Sequence, residues 1–363
     1  MLNLAWGTGP LLLIFPGAMP AAVERAVRAS VQGTEVIGAS SIPADSIAQH
    51  YPRWAFLPRY NEPDFETVLT DLVGVYGVTS IFCSHTVVWE HLRKILPRLL
   101  PQVARESTEP FTEEIASYRA LLKRRDTGGA LDCIASPTPR APALTPAEMA
   151  GLLRFAGSVP GLCSEEKILA LAAAARLAPA GDVVELGSWW GKSAVALGWL
   201  SRRYGIGNLL CVDPWDLGEA RQADEDVNAQ TAKWDMEEVV AVFQTNLAML
   251  AGNANYMRMP SRDAASEYAR TRTAATEAFG ETRYAGSIAL LHIDANHELG
   301  PVREDVRLWT PMVARGGWAI LDDYQWPFGD GPRIAGDELL EAWGDDVATA
   351  FVSGTALFIQ RRS

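Results

Sequence analysis

Short apolar runs alternate with longer stretches of helical period, and the alternation occurs twice along the chain. In the first pattern Leu11-Leu-Leu-Ile-Phe15 predicts a buried strand, closed by Pro16-Gly17. A helix is expected over Ala21–Ser30, a short strand over Glu35–Gly38, a helix over Asp64–Tyr76, a strand over Thr79–Cys83 and a helix over Thr86–Ile95. Strands that alternate with helices imply a parallel sheet covered on both faces. Ser107–Arg125 reads as a charged amphipathic helix, and Ser136–Ala143 as a Pro/Ala-rich linker.

The second pattern opens on Thr145-Pro-Ala-Glu148, a capping box with proline at the first helical position. Helices are expected over Pro146–Phe155 and Ser164–Leu177, then a strand, Asp182–Leu186, and a helix from Lys192 to about Arg203. The strand Asn208–Asp213 is followed by an acidic, irregular stretch, Leu217 to about Lys233, and a helix running to about Leu250. Further strands are expected at Ser287–Asp294, Trp318–Asp322, Ala348–Val352 and Thr355–Gln360, with a helix over Pro301–Met312. Ser353-Gly354 marks a hairpin turn between the last two strands, so a mostly parallel sheet should end in an antiparallel hairpin. The domains are then a small α/β unit over 1–105, a helix and linker over 106–144, and a larger α/β domain over 145–363.

Composition narrows the partners. The 363 residues carry a formal net charge of −12, which repels phosphate backbones and makes nucleic acid a poor partner. A small neutral or cationic ligand, or a divalent metal, suits that surface. Cys83, Cys133, Cys163 and Cys211 form no C-x-x-C pair; reduced core cysteines point to the cytoplasm. The apolar start lacks a basic n-region and is broken by glycine and proline, so it reads as strand and turn, and no stretch suits a membrane span. A homo-oligomer is compatible with the pattern.

Two constellations carry chemistry. Glu185-Leu-Gly-Ser-Trp-Trp-Gly-Lys-Ser193 joins an apolar strand to a helix, where glycine admits a ligand to the backbone and the helix start offers free N–H groups. Three residues separate Gly187 from Gly191, one short of the nucleotide-hydrolase loop, and G-x-G-x-x-G is absent. What fits is an S-adenosylmethionine turn, with Glu185, Gly187 and Gly191 under the amino-acid moiety; a merely tight strand–helix turn is the plainer reading. Asp213 ends the next strand, where an acid can accept both ribose hydroxyls, or cap a turn. The second constellation is His292-Ile-Asp-Ala-Asn-His297 with Ala319-Ile-Leu-Asp-Asp-Tyr324. In a parallel sheet Asp294, Asp322 and Asp323 finish on one edge, and three carboxylates together repel unless a cation such as Mg²⁺ neutralises them. Taken singly, each aspartate reads as a turn or helix cap. His297 lies just past the strand and can act as a base, or stand as a solvated loop histidine; His292, within the apolar run, reads as a core histidine.

Together these stretches resemble class I S-adenosylmethionine-dependent methyltransferases, over Val183 to Gln360. More narrowly, Glu185-Leu-Gly-Ser…Gly-Lys-Ser193, Val212-Asp-Pro-Trp215, Ile293-Asp-Ala-Asn-His297 and Leu321-Asp-Asp-Tyr324 are similar to the metal-dependent branch. That branch holds the macrocin- and mycinamicin-type sugar O-methyltransferases and cephalosporin hydroxylase-like proteins, enzymes of natural product biosynthesis. The resemblance implies a seven-stranded Rossmann-like sheet, preceded here by the smaller parallel-sheet domain. It implies that Glu185, Gly187 and Ser188 hold the methionine part, Asp213 the ribose, and Ser261 and Asp263 the adenine. It further implies Asp294, Asp322 and Asp323 as Mg²⁺ ligands and His297 as base; the Ala-Asn after Asp294 departs from the glycine frequent there. Separately, Leu13-Ile-Phe-Pro-Gly17, Val36-Ile-Gly-Ala-Ser40 and Pro63-Asp-Phe65 to Ile81-Phe82 resemble the small lobe that precedes the ATP-binding lobes of ATP-grasp ligases. Those lobes do not follow, which leaves a substrate-binding or assembly role for the first domain.

The expected reaction is O-methylation of a small-molecule hydroxyl. The stretch Leu217–Lys233 and Trp234 would form a lid, with Trp189, Trp190 and Trp326 around the acceptor or in the core. The competing readings are a nucleotide-using enzyme with Gly191-Lys-Ser193 as a phosphate loop, and a degenerate methyltransferase fold that only binds.

Overall fold

The computed structural model describes residues 10–124 and 141–363. Most of the expected linker Ser136–Ala143, and Cys133, lie outside the described residues. The chain divides into two compact units, Met1–Ala120 and Leu121–Ser363.

The first unit is an α/β layer. Strands β1 (Leu11–Ile14), β2 (Glu35–Ser40), β3 (Trp54–Phe56), β4 (Ser80–Phe82) and β5 (Ala104–Arg105) pair in the order β3-β2-β1-β4-β5, all of them parallel. Helix α1 (Pro20–Val31) starts on proline and buries Ala22, Ala26 and Ala29, spaced to share one face. Helix α2 (Phe65–Tyr76) stops at Gly77 in the left-handed region. Helix α3 (Thr86–Leu99) runs one turn past the expected end and contains Pro97, because Leu96 and Leu100 still face the core. Helix α4 (Thr112–Arg124) begins later than expected. The edge strands β3 and β5 leave no mark in the pattern: they are three and two residues long, too short for an alternation to show.

The second unit holds α5 (Pro146–Gly157), α6 (Glu165–Leu177), β6 (Asp182–Leu186), α7 (Lys192–Tyr204), β7 (Leu209–Val212), α8 (Glu225–Thr231), α9 (Met236–Leu247), β8 (Ala254–Met257) and α10 (Ser261–Thr271). After these come β9 (Thr273–Thr276), β10 (Gly280–Arg283), β11 (Ile288–Ile293), α11 (Leu299–Trp309), β12 (Val313–Leu321), α12 (Gly331–Trp343), β13 (Val347–Ser353) and β14 (Ala356–Arg361). Seven strands pair as β13-β14-β12-β11-β6-β7-β8, with β9 and β10 a separate hairpin. The expected capping box at Thr145 and Glu148 is present, and Ser164 caps α6. The final hairpin turns at Gly354 and Thr355, both with positive φ, between the paired Ser353 and Ala356. The pattern does not foretell strand β8, the β9–β10 hairpin, α10 or α12, nor α8 inside the acidic stretch.

The central strands are buried throughout, and their successive residues alternate between the two faces of the sheet. Val183 belongs to the core beneath α5, α6, α7 and α9, while Val184 and Leu186 belong to the core beneath α10, α11 and α12. Asp182 braces the start of the sheet, accepting from the Tyr268 hydroxyl at 2.6 Å and from the N–H groups of Ala285 and Gly286 at 2.9 and 2.7 Å. An Asp182→Ala variant strands three donors and should lose about 3 kcal/mol or more of stability in denaturant unfolding; a loss under about 1 kcal/mol would contradict that role. Among the described residues no helix is long and apolar enough to cross a membrane.

Topology sets the site. From β6 the chain steps outward through β7 to β8, then returns to β11 on the other flank of β6 and steps outward again to β12. The switch point therefore lies between the C-terminal ends of β6 and β11, where open α/β sheets leave a crevice.

Candidate functional site

Register brings the expected residues to that crevice in a row. Leu186 pairs with Ile293 and Ile293 with Leu321, so the residues after them, Gly187, Asp294 and Asp322, leave the sheet side by side. The Asp294 N–H reaches the Leu186 carbonyl and the Asp322 N–H reaches the Ile293 carbonyl, at 2.8 and 2.9 Å. Gly187 has φ +79°, and a Cβ there would lie 2.0 Å from the Asp294 carbonyl oxygen. Trp189, Trp215 and Asp323 also have positive φ, at 49°, 43° and 50°. Non-glycine residues rarely accept that conformation, and here three follow β6, β7 and β12 on the crevice edge.

The carboxylates fall into two groups that share Asp294. An oxygen or nitrogen from each of Asp294, His297 and Asp323 lies within 4.8 Å of the others, and the same holds for His292, Asp294 and Asp322. His297 Nε2 is 3.3 Å from Asp323 Oδ2 and 3.8 Å from Asp294 Oδ1. That nitrogen is shielded and has no hydrogen-bond partner among the described residues. Burial disfavours a charged imidazole, but the neighbouring Asp294 and Asp323 outweigh it and raise His297 above its ordinary value. Burial and the charge of Asp322 push Asp294 upward as well, and burial followed by Asp322 does the same to Asp323. Trp326 packs on the His297 ring, centroids 4.6 Å apart.

A buried lysine joins this cluster unannounced by any motif. Lys167, from the first turn of α6, is 3% exposed; its Nζ touches Asp322 Oδ2 and stands 3.6 Å from Asp294 Oδ2. The other Asp322 oxygen accepts the Asp323 N–H at 3.0 Å. Burial alone would raise the Asp322 carboxyl, yet the Lys167 ammonium drives it well below the usual range. Burial likewise opposes the lysine charge, and Asp294 and Asp322 overcome it. No spacing rule finds such a residue: Lys167 stands 127 positions before Asp294 in a helix whose other first-turn charges are acidic.

The two acids of the glycine turn face inward. Glu185 is fully buried; Ser188 Oγ donates to Oε2 at 2.7 Å and His292 Nδ1 lies 3.2 Å from Oε1. Asp213 accepts three backbone N–H groups, from Ser188 and Trp189 on Oδ2 at 2.8 and 2.9 Å and from Trp215 on Oδ1 at 2.7 Å. Both acids brace the turn from within, and Asp213 keeps about one of its roughly four lone-pair sites free. Ser261 opens α10 beyond β8, but its hydroxyl turns inward to Asp305; Asp263 beside it is exposed. Gly191 caps the start of α7 with φ +92°.

The acidic stretch folds against the cluster. Gln222 Nε2 lies 3.4 Å from His297 Nδ1, Asn296 donates to the Glu219 and Arg221 carbonyls, and Glu298 accepts the Ala223 N–H. Trp234 stacks edge-on against Trp190, which meets Trp189 in the same way. Lys192 donates to the Gly161 carbonyl at 3.0 Å, away from the turn it follows, which leaves a phosphate-loop reading without its lysine.

Residues 184–324 match the family model of a methyltransferase domain, a span from β6 to the last residue of the Asp322-Asp323-Tyr324 run. The second unit carries a methyltransferase domain. No curated protein matches the chain significantly. Among solved structures it is similar to the O-methyltransferase NovP, at 18% identity over 69% of this chain and 99% of that one, TM-score 0.39. It is also similar to the O-methyltransferase TomG from Streptomyces achromogenes, involved in tomaymycin synthesis and solved with SAM, at 16% identity, 66% and 96% coverage and TM-score 0.37. A third is MycE of the mycinamycin pathway, solved with Mg, SAH and mycinamycin VI, at 15% identity, 50% and 45% coverage and TM-score 0.30. The methyltransferase domain thus contains the glycine turn, Asp213 and every carboxylate of the cluster, while Lys167 lies just ahead of the matched span.

Proposed function

We propose that this domain transfers a methyl group from S-adenosylmethionine to a hydroxyl of a small molecule, with Mg²⁺ held by Asp294, Asp322 and Asp323. The observation that carries the reading is the meeting of His297 with Asp294 and Asp323 beside the Gly187 turn, inside the matched span. The donor set fits a hard cation: three carboxylates against one ammonium leave two formal negative charges, and Asp294 and Asp323 are the partly exposed members.

S-adenosylmethionine would supply an electrophilic methyl on a sulfonium. A divalent ion would acidify an acceptor hydroxyl beside it. The chain's own residues do the rest. The turn Gly187–Gly191 and the N–H groups at the start of α7 cradle the donor's amino-acid end, with Glu185, Ser188 and Asp213 keeping that turn in shape. Residues 259–263 follow β8 on the same sheet edge; there the exposed Asp263 would face the adenine, while Ser261, its hydroxyl turned to Asp305, would offer backbone only. His297 accepts the acceptor's proton at Nε2, and Trp326 holds the ring in place. The 217–233 stretch shields the crevice from water through its bonds to residues 296–298.

Calorimetry with S-adenosylhomocysteine should show binding, and ATP should show none. In a methyl-transfer assay begun with sugar and polyketide hydroxyls, Asp323→Asn should cut Mg²⁺-dependent turnover by about 100-fold or more while S-adenosylhomocysteine affinity stays within about twofold. Turnover that survives both EDTA and Asp323→Asn would reject the metal reading.

A further inference from the structure

Lys167 has no role in the mechanism above, and its placement is costly. A buried ammonium gives up its hydration, a loss offset only where its partners are close and charged. Here the partners are Asp322, in direct contact, and Asp294 at 3.6 Å. The position is built: Ser164 caps the turn that starts the helix by accepting the Lys167 N–H at 3.1 Å, and the β13–β14 turn packs on the same backbone at Gly354. With Lys167 on Asp322 Oδ2 and the Asp323 N–H on Oδ1, both Asp322 oxygens are engaged. A divalent ion shared by Asp294 and Asp322 would sit within a few ångströms of the ammonium that already contacts Asp322 Oδ2 and neighbours Asp294 Oδ2, and two cations that close repel.

We propose that Lys167 is a stand-in cation: it holds the Asp294–Asp322 pair together in the metal-free protein and competes with the divalent ion for those oxygens. Ion uptake then requires the ammonium to withdraw from Asp322, so the lysine weakens the site's affinity while keeping the metal-free site assembled. The inference rests on the metal reading given under Proposed function.

The test uses the full chain, Mg²⁺ titrations by calorimetry, and melting curves in EDTA and in Mg²⁺. Wild type should gain less in melting temperature from Mg²⁺ than the lysine variants do, because it binds the ion more weakly. Lys167→Met and Lys167→Gln should melt lower in EDTA, recover with Mg²⁺, and bind Mg²⁺ at least about tenfold more tightly than wild type, as expected when a competing charge is removed. Lys167→Arg keeps the charge and should bind as wild type does. Should the single variants fail to fold, Asp322→Asn and the double variant Lys167→Met/Asp322→Asn provide the same comparison without an unpaired buried carboxylate at position 322, and the double variant should be the tighter binder. Wild-type Mg²⁺ binding with no tightening on loss of the lysine, in either background, overturns the proposal and leaves the metal reading standing. No Mg²⁺ binding by any of these proteins overturns both.

Discussion

His297→Ala should lower kcat by about 100- to 10,000-fold, the range expected for loss of a positioned general base, with S-adenosylhomocysteine affinity within about twofold of wild type. The effect is confined to chemistry because His297 contacts the carboxylate cluster and Gln222, while the glycine turn is braced by Asp213 and Glu185. The variant also removes an imidazole that packs on Trp326, so a circular dichroism melt should accompany the rates. The pH behaviour follows from the same neighbours. Asp294 and Asp323 raise the folded-state value of His297, so in the metal-free protein NMR titration should place it above 6.5. A base must be neutral to act, so protonation is lost, and proton acceptance gained, as pH rises through that raised value. A divalent ion at the carboxylates opposes the imidazolium and should move the titration downward. A kcat reduced less than about tenfold, or an imidazole titrating below about 6.5 without metal, would remove His297 from the base role.

Gly187→Ala should be among the most damaging single-methyl changes in this chain. Two independent costs add: φ is +79°, which disfavours any Cβ, and that Cβ would meet the Asp294 carbonyl oxygen at 2.0 Å, its carbon at 2.5 Å and the Ala295 Cα at 2.7 Å. All three are backbone atoms at the end of a central strand, so no rotamer change relieves them. Gly205 is the control, with φ +64° and nothing within 4 Å of the place its Cβ would take. Gly205→Ala should cost about 1–2 kcal/mol, the left-handed penalty alone, whereas Gly187→Ala should cost about 4 kcal/mol or more in chemical denaturation. If the variant folds, Asp294 must shift, so Mg²⁺-dependent turnover should be lost along with donor binding. Equal losses for the two variants would mean that β6 and β11 tolerate separation at the switch point.

How much of the fold and site is legible in the sequence depends on the range of the signal. Long, strongly patterned elements are legible: α1, α2, α5, α6 and α7, the strands of the seven-stranded sheet apart from the edge strand β8, and the closing hairpin. The exception, β8, reads Ala-Asn-Tyr-Met; Asn255 is buried inside it and satisfied by the β9–β10 hairpin, through Ala274, Gly280 and Thr282. A polar residue in a four-residue strand hides the strand until its partners are known. The convergence of Asp294, Asp322 and Asp323 is legible because parallel strands end on a common edge. Asp213 as a turn cap is legible too, through the Trp215 N–H two residues on; its hold on the Ser188 and Trp189 N–H groups is not, since it depends on how closely the turn after β6 approaches the end of β7.

By itself the sequence determined the alternation of strand and helix, the glycine turn and the order of the acidic residues, because these follow from local period and steric freedom. Only the tertiary structure decided which oxygens of those acids remain open, and that a lysine from α6 lies among them. Contacts between residues so distant in the chain are set by sheet register and helix packing. Neither leaves a local trace at Lys167 itself.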